Sequence, residues 1–503
     1  MRFASVRTGY KMKYNSTRGE KAGISSAEAI KKGMAGDGGL YMPESIPNLT
    51  LDELKSLCSL SYAERAAEIL SKFLTDYDRS AIDEICAKAY SESKFGKNAA
   101  PCVSLGDSMN ILELWHGPTC AFKDMALQIM PLLLSKALEM TGEKRTACIL
   151  VATSGDTGKA ALEGYKDVDK TKIMVFYPEN GVSIMQKRQM ATQEGGNVNV
   201  ASIKGNFDDA QSAVKSIFAN RELADEIKAS TFLSSANSIN WGRLAPQIAY
   251  YVSAYCDMAV SGRIELGDKI NVCVPTGNFG NIFAAYIART MGLPINKLIC
   301  ASNTNNILTD FLADGVYDRN RRFYTTMSPS MDILISSNLE RLLFVLCGPE
   351  ETREYMQALK QDGKYSISAK AKAEIDRAFA GGWCSEDETG ATIKDIFEEY
   401  HYLCDTHTAV AVKTAKDYMS KTADGLQMLI ASTASPYKFA GNVYAALTGV
   451  HPEDEFEAID LLSDYSGTAV PAGLAGLRDK TVRFTTVLER DDMERAVKEF
   501  IGK

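Results

Sequence analysis

Two short stretches constrain the fold of this chain more than any other feature. The apolar run Ala147 to Ala152 empties into Thr153-Ser154-Gly155-Asp156-Thr157-Gly158, and the run Ile270 to Val274 empties into Pro275-Thr276-Gly277-Asn278-Phe279-Gly280-Asn281. Each reads as a strand, a glycine-rich turn and a helix start, an arrangement that aims backbone N–H groups at an anion. Further strand–loop–helix units follow the first: Lys172 to Tyr177 before Ser183 to Gln193, and Asn197 to Ile203 before Asp208 to Asn220. Strands alternating with helices predict an α/β chain on open, mostly parallel sheets covered on both faces. Ligands of such sheets bind beyond the carboxyl ends of the strands, where the first glycine turn falls.

Neither turn fits nucleotide binding. G-D-T-G has two residues between its glycines where a P-loop needs four, and G-N-F-G lacks the G-x-G-x-x-G spacing of a dinucleotide site. A phosphorylated cofactor, a phosphorylated substrate, or both remain. Upstream, Ile111 to Leu114 reads as a short strand, His116-Gly117-Pro118 as a turn, and Lys123 falls at the start of an apolar helix. Crowded by Phe122, Ala126 and Leu127, its amine loses hydration, which lowers its pKa and frees the neutral form for carbonyl chemistry. On that segment alone a surface lysine in the first helical turn is an equal reading; the two anion turns downstream favour the reactive one.

The segments H-G-P-T-x-A-F-K-D (His116 to Asp124), S-G-D-T-G and P-T-G-N-F-G-N, in this order, resemble the threonine synthase family, pyridoxal-phosphate enzymes of fold type II in the tryptophan synthase β superfamily. Tyr14 to Gly19, Asp37 to Pro43 and Ser336 to Phe344 are similar to further blocks of that family, so the resemblance runs from near residue 14 to near 440. It implies two α/β lobes with an added helical N-terminal domain, and pyridoxal 5'-phosphate as cofactor. Lys123 becomes the Schiff-base lysine, and Gly277, Asn278, Phe279, Gly280 and Asn281 hold the cofactor phosphate through backbone amides. Thr433 sets its hydroxyl against the pyridine nitrogen. Ser154, Thr157, Asn237, Ser238 and Arg243 hold the substrate phosphate. The family usually has T-A-H-P-x-K-F where this chain has Thr433-Ala434-Ser435-Pro436-Tyr437-Lys438-Phe439.

The residues allow plainer readings at two of these places. Thr433, ending a predicted strand, could cap the helix from Pro436. Asn237 to Arg243 gathers amides, a hydroxyl and a guanidinium at a helix start, suited to bidentate phosphate recognition, yet Asn240 could cap that helix with Arg243 paired on its surface. The reaction the resemblance implies takes O-phospho-L-homoserine and water to L-threonine and phosphate, with the freed lysine as general base and acid at Cα and Cβ. The alternatives are an O-phosphohomoserine phospho-lyase that stops at the 2-oxo acid, or another fold type II lyase or dehydratase, which need not retain the 237–243 cluster. A non-catalytic sensor on the same scaffold has no need for a reactive lysine.

At 503 residues the chain is too long for one ordinary core. Its pattern divides it into a helical domain over 1–104, a first α/β lobe over 105–265, and a second over 266–503 with a helical insertion near 340–402, where Gly363 and Gly381-Gly382 read as turns. A net charge of −8 gives no electrostatic reason to expect nucleic acid. The eleven cysteines are scattered singly and the four histidines are dispersed, so neither a disulfide framework nor a metal site is expected. No apolar run reaches the roughly 18 residues that span a bilayer, so no membrane partner is expected. Arg2, Arg7, Lys11 and Lys13 mimic an organelle leader, but no apolar segment follows and the family-like stretch starts at Tyr14, which predicts a cytoplasmic protein. The oligomeric state stays open, a monomer included.

Overall fold

The computed structural model describes residues 11–153, 155–180 and 182–502. Helices dominate the N-terminal part. Leu51–Leu57 and Tyr62–Phe73 each start from a capping box, Thr50 with Glu53 and Ser61 with Glu64, which satisfies amides that a helix start leaves open. Ala66, Ile69, Leu70 and Phe73 recur at helical spacing and are buried, and their helix packs on Pro246–Val260. An antiparallel pair, Tyr14–Ser16 with Tyr41–Pro43, holds the two family-like N-terminal segments together. Arg18 then grips Glu340 with two hydrogen bonds, 2.9 and 2.8 Å, and Thr17 donates to the same carboxylate. This ties the N-terminal segment to the helix Leu339–Cys347.

Two sheets form the body. In the six-stranded sheet the order is Phe379–Trp383, Ile295–Ser302, Ile270–Pro275, Gln427–Ser432, Met109–Glu113 and Cys102–Leu105, parallel throughout except for the last pair. The five-stranded sheet is wholly parallel, in the order Val487–Leu488, Val198–Ile203, Thr171–Pro178, Thr146–Ala152 and Thr231–Ser234. Ile270–Pro275 is buried at every position, as a parallel strand with helices on both faces must be. One large core lies between the sheets and the N-terminal helices, and two smaller ones cover the outer faces.

Sheet membership does not follow sequence boundaries at 105 and 266. Cys102–Leu105 and Met109–Glu113 join the sheet of the later strands, while Val487–Leu488 pairs with Val198–Ile203 at the opposite sheet and Met493–Gly502 packs beside it. A second difference concerns Gly381-Gly382. Instead of a turn in a helical insertion, they lie in the strand Phe379–Trp383, paired in parallel with Ile295–Ser302. A Cβ on Gly381 would stand 3.2 Å from Thr309 Cα, and one on Gly382 2.6 Å from Thr414 Cγ2. Glycine is required there because helices press on both faces of the strand. The rest of 340–402 is helical, apart from the short strand Lys364–Ser366.

Candidate active site

Ile270–Pro275, Gln427–Ser432 and Met109–Glu113 are neighbours in one sheet, and their carboxyl ends lead to the G-N-F-G-N turn, Thr433 and the lysine segment respectively. Parallel alignment alone therefore gathers three of the expected elements at one edge. The lysine segment is zipped to its neighbour: Phe122 N donates to Thr433 O at 2.8 Å, and Ser435 N donates to Cys120 O at 3.0 Å. Asp124, just after the lysine, accepts from Thr119 N at 2.8 Å and Thr119 Oγ1 at 2.7 Å, closing the turn beneath it. Burial pushes the Asp124 carboxyl up to about 6.

The Lys123 side chain is 10% exposed. Its Nζ lies 3.4 Å from Asp156 Oδ2 and 3.3 Å from Ser330 Oγ, and 5.1 Å from the centre of the Phe122 ring. Burial lowers the amine's pKa, and the nearby charges of Lys438 and Arg243 lower it further against the pull of Asp156. Asp156 opens the helix Asp156–Tyr165 just beyond the end of the strand Thr146–Ala152 of the other sheet, so the site lies between the two sheets. Although burial works against it, Lys438 and Lys123 hold the Asp156 carboxyl well below the usual range.

The glycine turn is built to receive an anion. Phe279 takes a left-handed conformation, φ 62°, at the start of the helix Gly280–Met291. Among the described residues no acceptor is found for the amides of Asn278, Phe279, Gly280 and Asn281. The turn is pinned from outside: Ser336 Oγ donates to Gly277 O at 2.7 Å, and Asn338 donates to Asn278 O through its backbone at 3.1 Å and its side chain at 3.0 Å. A Cβ on Gly277 would stand 2.6 Å from Ser330 O, so only glycine lets the turn approach the segment carrying Ser330. Asn281 Oδ1 accepts from the Tyr250 and Tyr251 hydroxyls, while its Nδ2 is buried without a partner. Free amides and an orphaned buried donor fit a phosphate group.

The expected substrate-phosphate residues are partly gathered. Arg243 is 6% exposed; its Nη1 donates to Ala236 O at 2.7 Å and its Nη2 lies 3.5 Å from Thr157 Oγ1. Among the described residues it has no carboxylate partner, and burial pulls its guanidinium down to about 10. Asn240 does cap the helix, accepting from Gly242 N at 2.9 Å, but Arg243 is not paired on the surface. Ser238 stands beside the glycine turn, its Cβ 3.8 Å from a Cβ built on Gly280. Asn237, half-buried, meets its neighbours through its backbone, its N donating to Ser235 Oγ at 3.2 Å. Ser154 lies outside the described residues.

At Thr433 the plainer reading fails: Ser435 caps the turn Pro436–Phe439, its Oγ accepting from Tyr437 N. Sequence reasoning missed Asp156 and Ser330 as neighbours of Lys123, Lys438 as the buried partner of Asp156, and His407. His407 Nε2 accepts from Ser330 N at 3.2 Å, so its ring proton sits on Nδ1, 2.7 Å from Asp405 Oδ2. Asp156 and Lys438 both lie inside recognised motifs. A carboxylate within an anion-binding turn calls for a counter-cation, and that signal was available.

The chain matches the family described as pyridoxal-phosphate dependent enzyme over residues 111–434. It also matches threonine synthase N terminus over 13–90 and threonine synthase, C-terminal over 408–501. It is 38% identical to threonine synthase of Pseudomonas aeruginosa over 482 residues, 95% of this chain and 96% of that protein. It is 40% identical to threonine synthase-like 1 of Homo sapiens over 434 residues, 84% of this chain but 58% of that relative's length. Among solved structures, PLP-bound threonine synthase from Brucella melitensis aligns with a TM-score of 0.87 at 38% identity, covering 98% of this chain and 100% of that one. The yeast threonine synthase aligns with a TM-score of 0.87 at 34% identity, covering 98% and 99%. By these matches over nearly its whole length, this chain belongs to the threonine synthase family of pyridoxal-phosphate-dependent enzymes.

Proposed function

We propose that this chain carries pyridoxal 5'-phosphate on Lys123 and converts O-phospho-L-homoserine and water to L-threonine and phosphate. The observation that carries the reading is Arg243, a buried guanidinium with no carboxylate partner among the described residues, beside Thr157 and near enough to Lys123 to lower its pKa. A desolvated, unpaired cation costs a fold several kcal/mol, roughly, and an incoming anion offsets that cost. The phosphate of the substrate is such an anion.

When bound, the cofactor supplies an electron sink for negative charge developing on the substrate carbons. Lys123, with its pKa lowered, takes the protons from Cα and Cβ, and one proton goes back to Cγ, which becomes the methyl group, and one to Cα at the end. Arg243 and Thr157, with Ser154, Asn237 and Ser238, hold the γ-phosphate and favour its charge as the carbon–oxygen bond breaks. The open amides of Asn278 to Asn281 and the Asn281 side chain would hold the cofactor phosphate. Thr433, relieved of any capping role, would set its hydroxyl toward the ring nitrogen, where it does not force that nitrogen to stay protonated. All eleven cysteines are free thiols, which supports a reducing, cytoplasmic compartment. Among the described residues no helix is long and apolar enough to cross a membrane.

Incubation of the cofactor-loaded protein with O-phosphohomoserine tests the reading. Threonine and phosphate in equal amounts are expected. Accumulation of 2-oxobutyrate in place of threonine would move the chain to the phospho-lyase reading.

A further inference from the structure

The anion-binding turn of this site contains an acid, and the structure shows how that acid is tolerated. Lys438 is wholly buried, and its ammonium reaches Asp156 Oδ1 at 2.8 Å, Thr119 O at 3.0 Å and Gln189 Oε1 at 3.3 Å. An ammonium has three protons to donate, and all three are placed. Asp156 Oδ1 also accepts from Gln186 Nε2 at 3.0 Å. The other oxygen, Oδ2, faces Lys123 across a longer contact of 3.4 Å. One lysine is therefore a fixed partner of the carboxylate and the other a loose one.

We infer that Lys438 is a positioning residue that keeps Asp156 neutralised throughout the reaction, so that Lys123 can give up its proton without leaving a bare carboxylate in the site. The inference rests on the reading of Lys123 as the cofactor lysine. Without Lys438, Asp156 would face a single ammonium, Lys123 itself, and would hold it protonated. A free Lys123 amine that is held protonated can neither attack a carbonyl nor act as a base. With Lys438 in place, the carboxylate is matched before Lys123 is counted, and the second positive charge nearby opposes protonation of the first. Other ionisable groups coupled to this trio are Arg243, through Lys123, and Asp124 and Cys120, through Lys438. They are untouched by the changes below.

The test is a pH titration of the cofactor's visible absorption in the full-length, cofactor-loaded chain, which reads the protonation midpoint of the Lys123 nitrogen. Borohydride trapping and peptide mapping of the wild type come first. Cofactor on another lysine would overturn the reading of the site, and with it this inference. With cofactor on Lys123, Lys438→Met should raise the midpoint by about one pH unit or more, and Asp156→Asn should lower it by a similar amount. The double variant, which removes both charges of the buried pair, should return toward the wild-type value. A Lys438→Met midpoint equal to wild type, or a double variant that tracks Lys438→Met, would overturn the role of Lys438 alone. If Lys438→Met does not fold, Asp156→Asn and the double variant decide: the double must then lie above Asp156→Asn, and a double whose midpoint equals that of Asp156→Asn contradicts the inference.

Discussion

Replacing Arg243 with leucine should move folding and binding in opposite directions. In the native chain burial brings the guanidinium from 12.5 down to about 10. At neutral pH the group is charged in both states, and the lowered native value means the charged form weakens the fold by about 3 kcal/mol. That penalty is present below pH 10 and is relieved only as pH rises through it. Leucine removes the penalty but forfeits the 2.7 Å hydrogen bond to Ala236 O, a loss of about 1 kcal/mol. The variant should therefore be more stable by about 2 kcal/mol in urea unfolding near neutral pH. Binding should fall at the same time, because losing a desolvated charge-assisted contact costs about 2–5 kcal/mol, or tens- to thousands-fold in affinity for O-phosphohomoserine. Pyridoxal phosphate should stay in place, since its phosphate is assigned to the separate turn at Asn278 to Asn281. A variant that is less stable than wild type and still binds the substrate would show that Arg243 is a structural residue and that the anion goes elsewhere.

Three further outcomes follow from the geometry. Lys123→Ala should abolish both turnover and the borohydride-trapped adduct, and a trapped cofactor at any other lysine, found by peptide mass mapping, would remove Lys123 from its role. Thr433→Asp should place a carboxylate by the ring nitrogen and divert flux from threonine toward 2-oxobutyrate or transamination, whereas Thr433→Ser should keep the product; an unchanged threonine yield in the aspartate variant would mean the hydroxyl does not tune the ring. Asp124, raised from 3.8 to about 6 by burial, favours the fold while neutral. That contribution is complete below about pH 4 and lost as pH rises through 6. Unfolding of Asp124→Asn and wild type should therefore diverge in the variant's favour by up to about 3 kcal/mol between pH 4 and 7, and parallel curves would refute the shift.

The strand–turn–helix units were legible because strand burial and helix starts are local properties. Thr146–Ala152 and Ile270–Pro275 read as strands from their apolar runs alone. Which sheet a strand joins is not local. Met109–Glu113 is as apolar as its alternatives, and its partner Gln427–Ser432 lies more than three hundred residues away in sequence. Gly381-Gly382 misled for a related reason: glycine marks a turn when the chain is exposed and a close approach when helices cover it, and only the packed fold distinguishes them. At the site, Lys123 and the glycine turn could be found because their chemistry is concentrated in contiguous motifs. Ser330 and His407 could not, because Ser330, in the turn Pro329–Met331, and His407, at the start of the helix Thr406–Thr422, lie far from Lys123 in sequence and join the site only through single contacts.

The central claim is that the substrate's carbon–oxygen bond to phosphate is broken and a hydroxyl is built at Cβ from water. Turnover of O-phosphohomoserine in water enriched in oxygen-18, with mass analysis of both products, tests it directly. The heavy oxygen should appear in the β-hydroxyl of threonine and be absent from the released phosphate. Heavy oxygen in the phosphate, with homoserine as the other product, would mean that the phosphorus–oxygen bond is cut by simple hydrolysis, and would contradict both Lys123 as the base at Cα and Cβ and Arg243 as the holder of a departing phosphate.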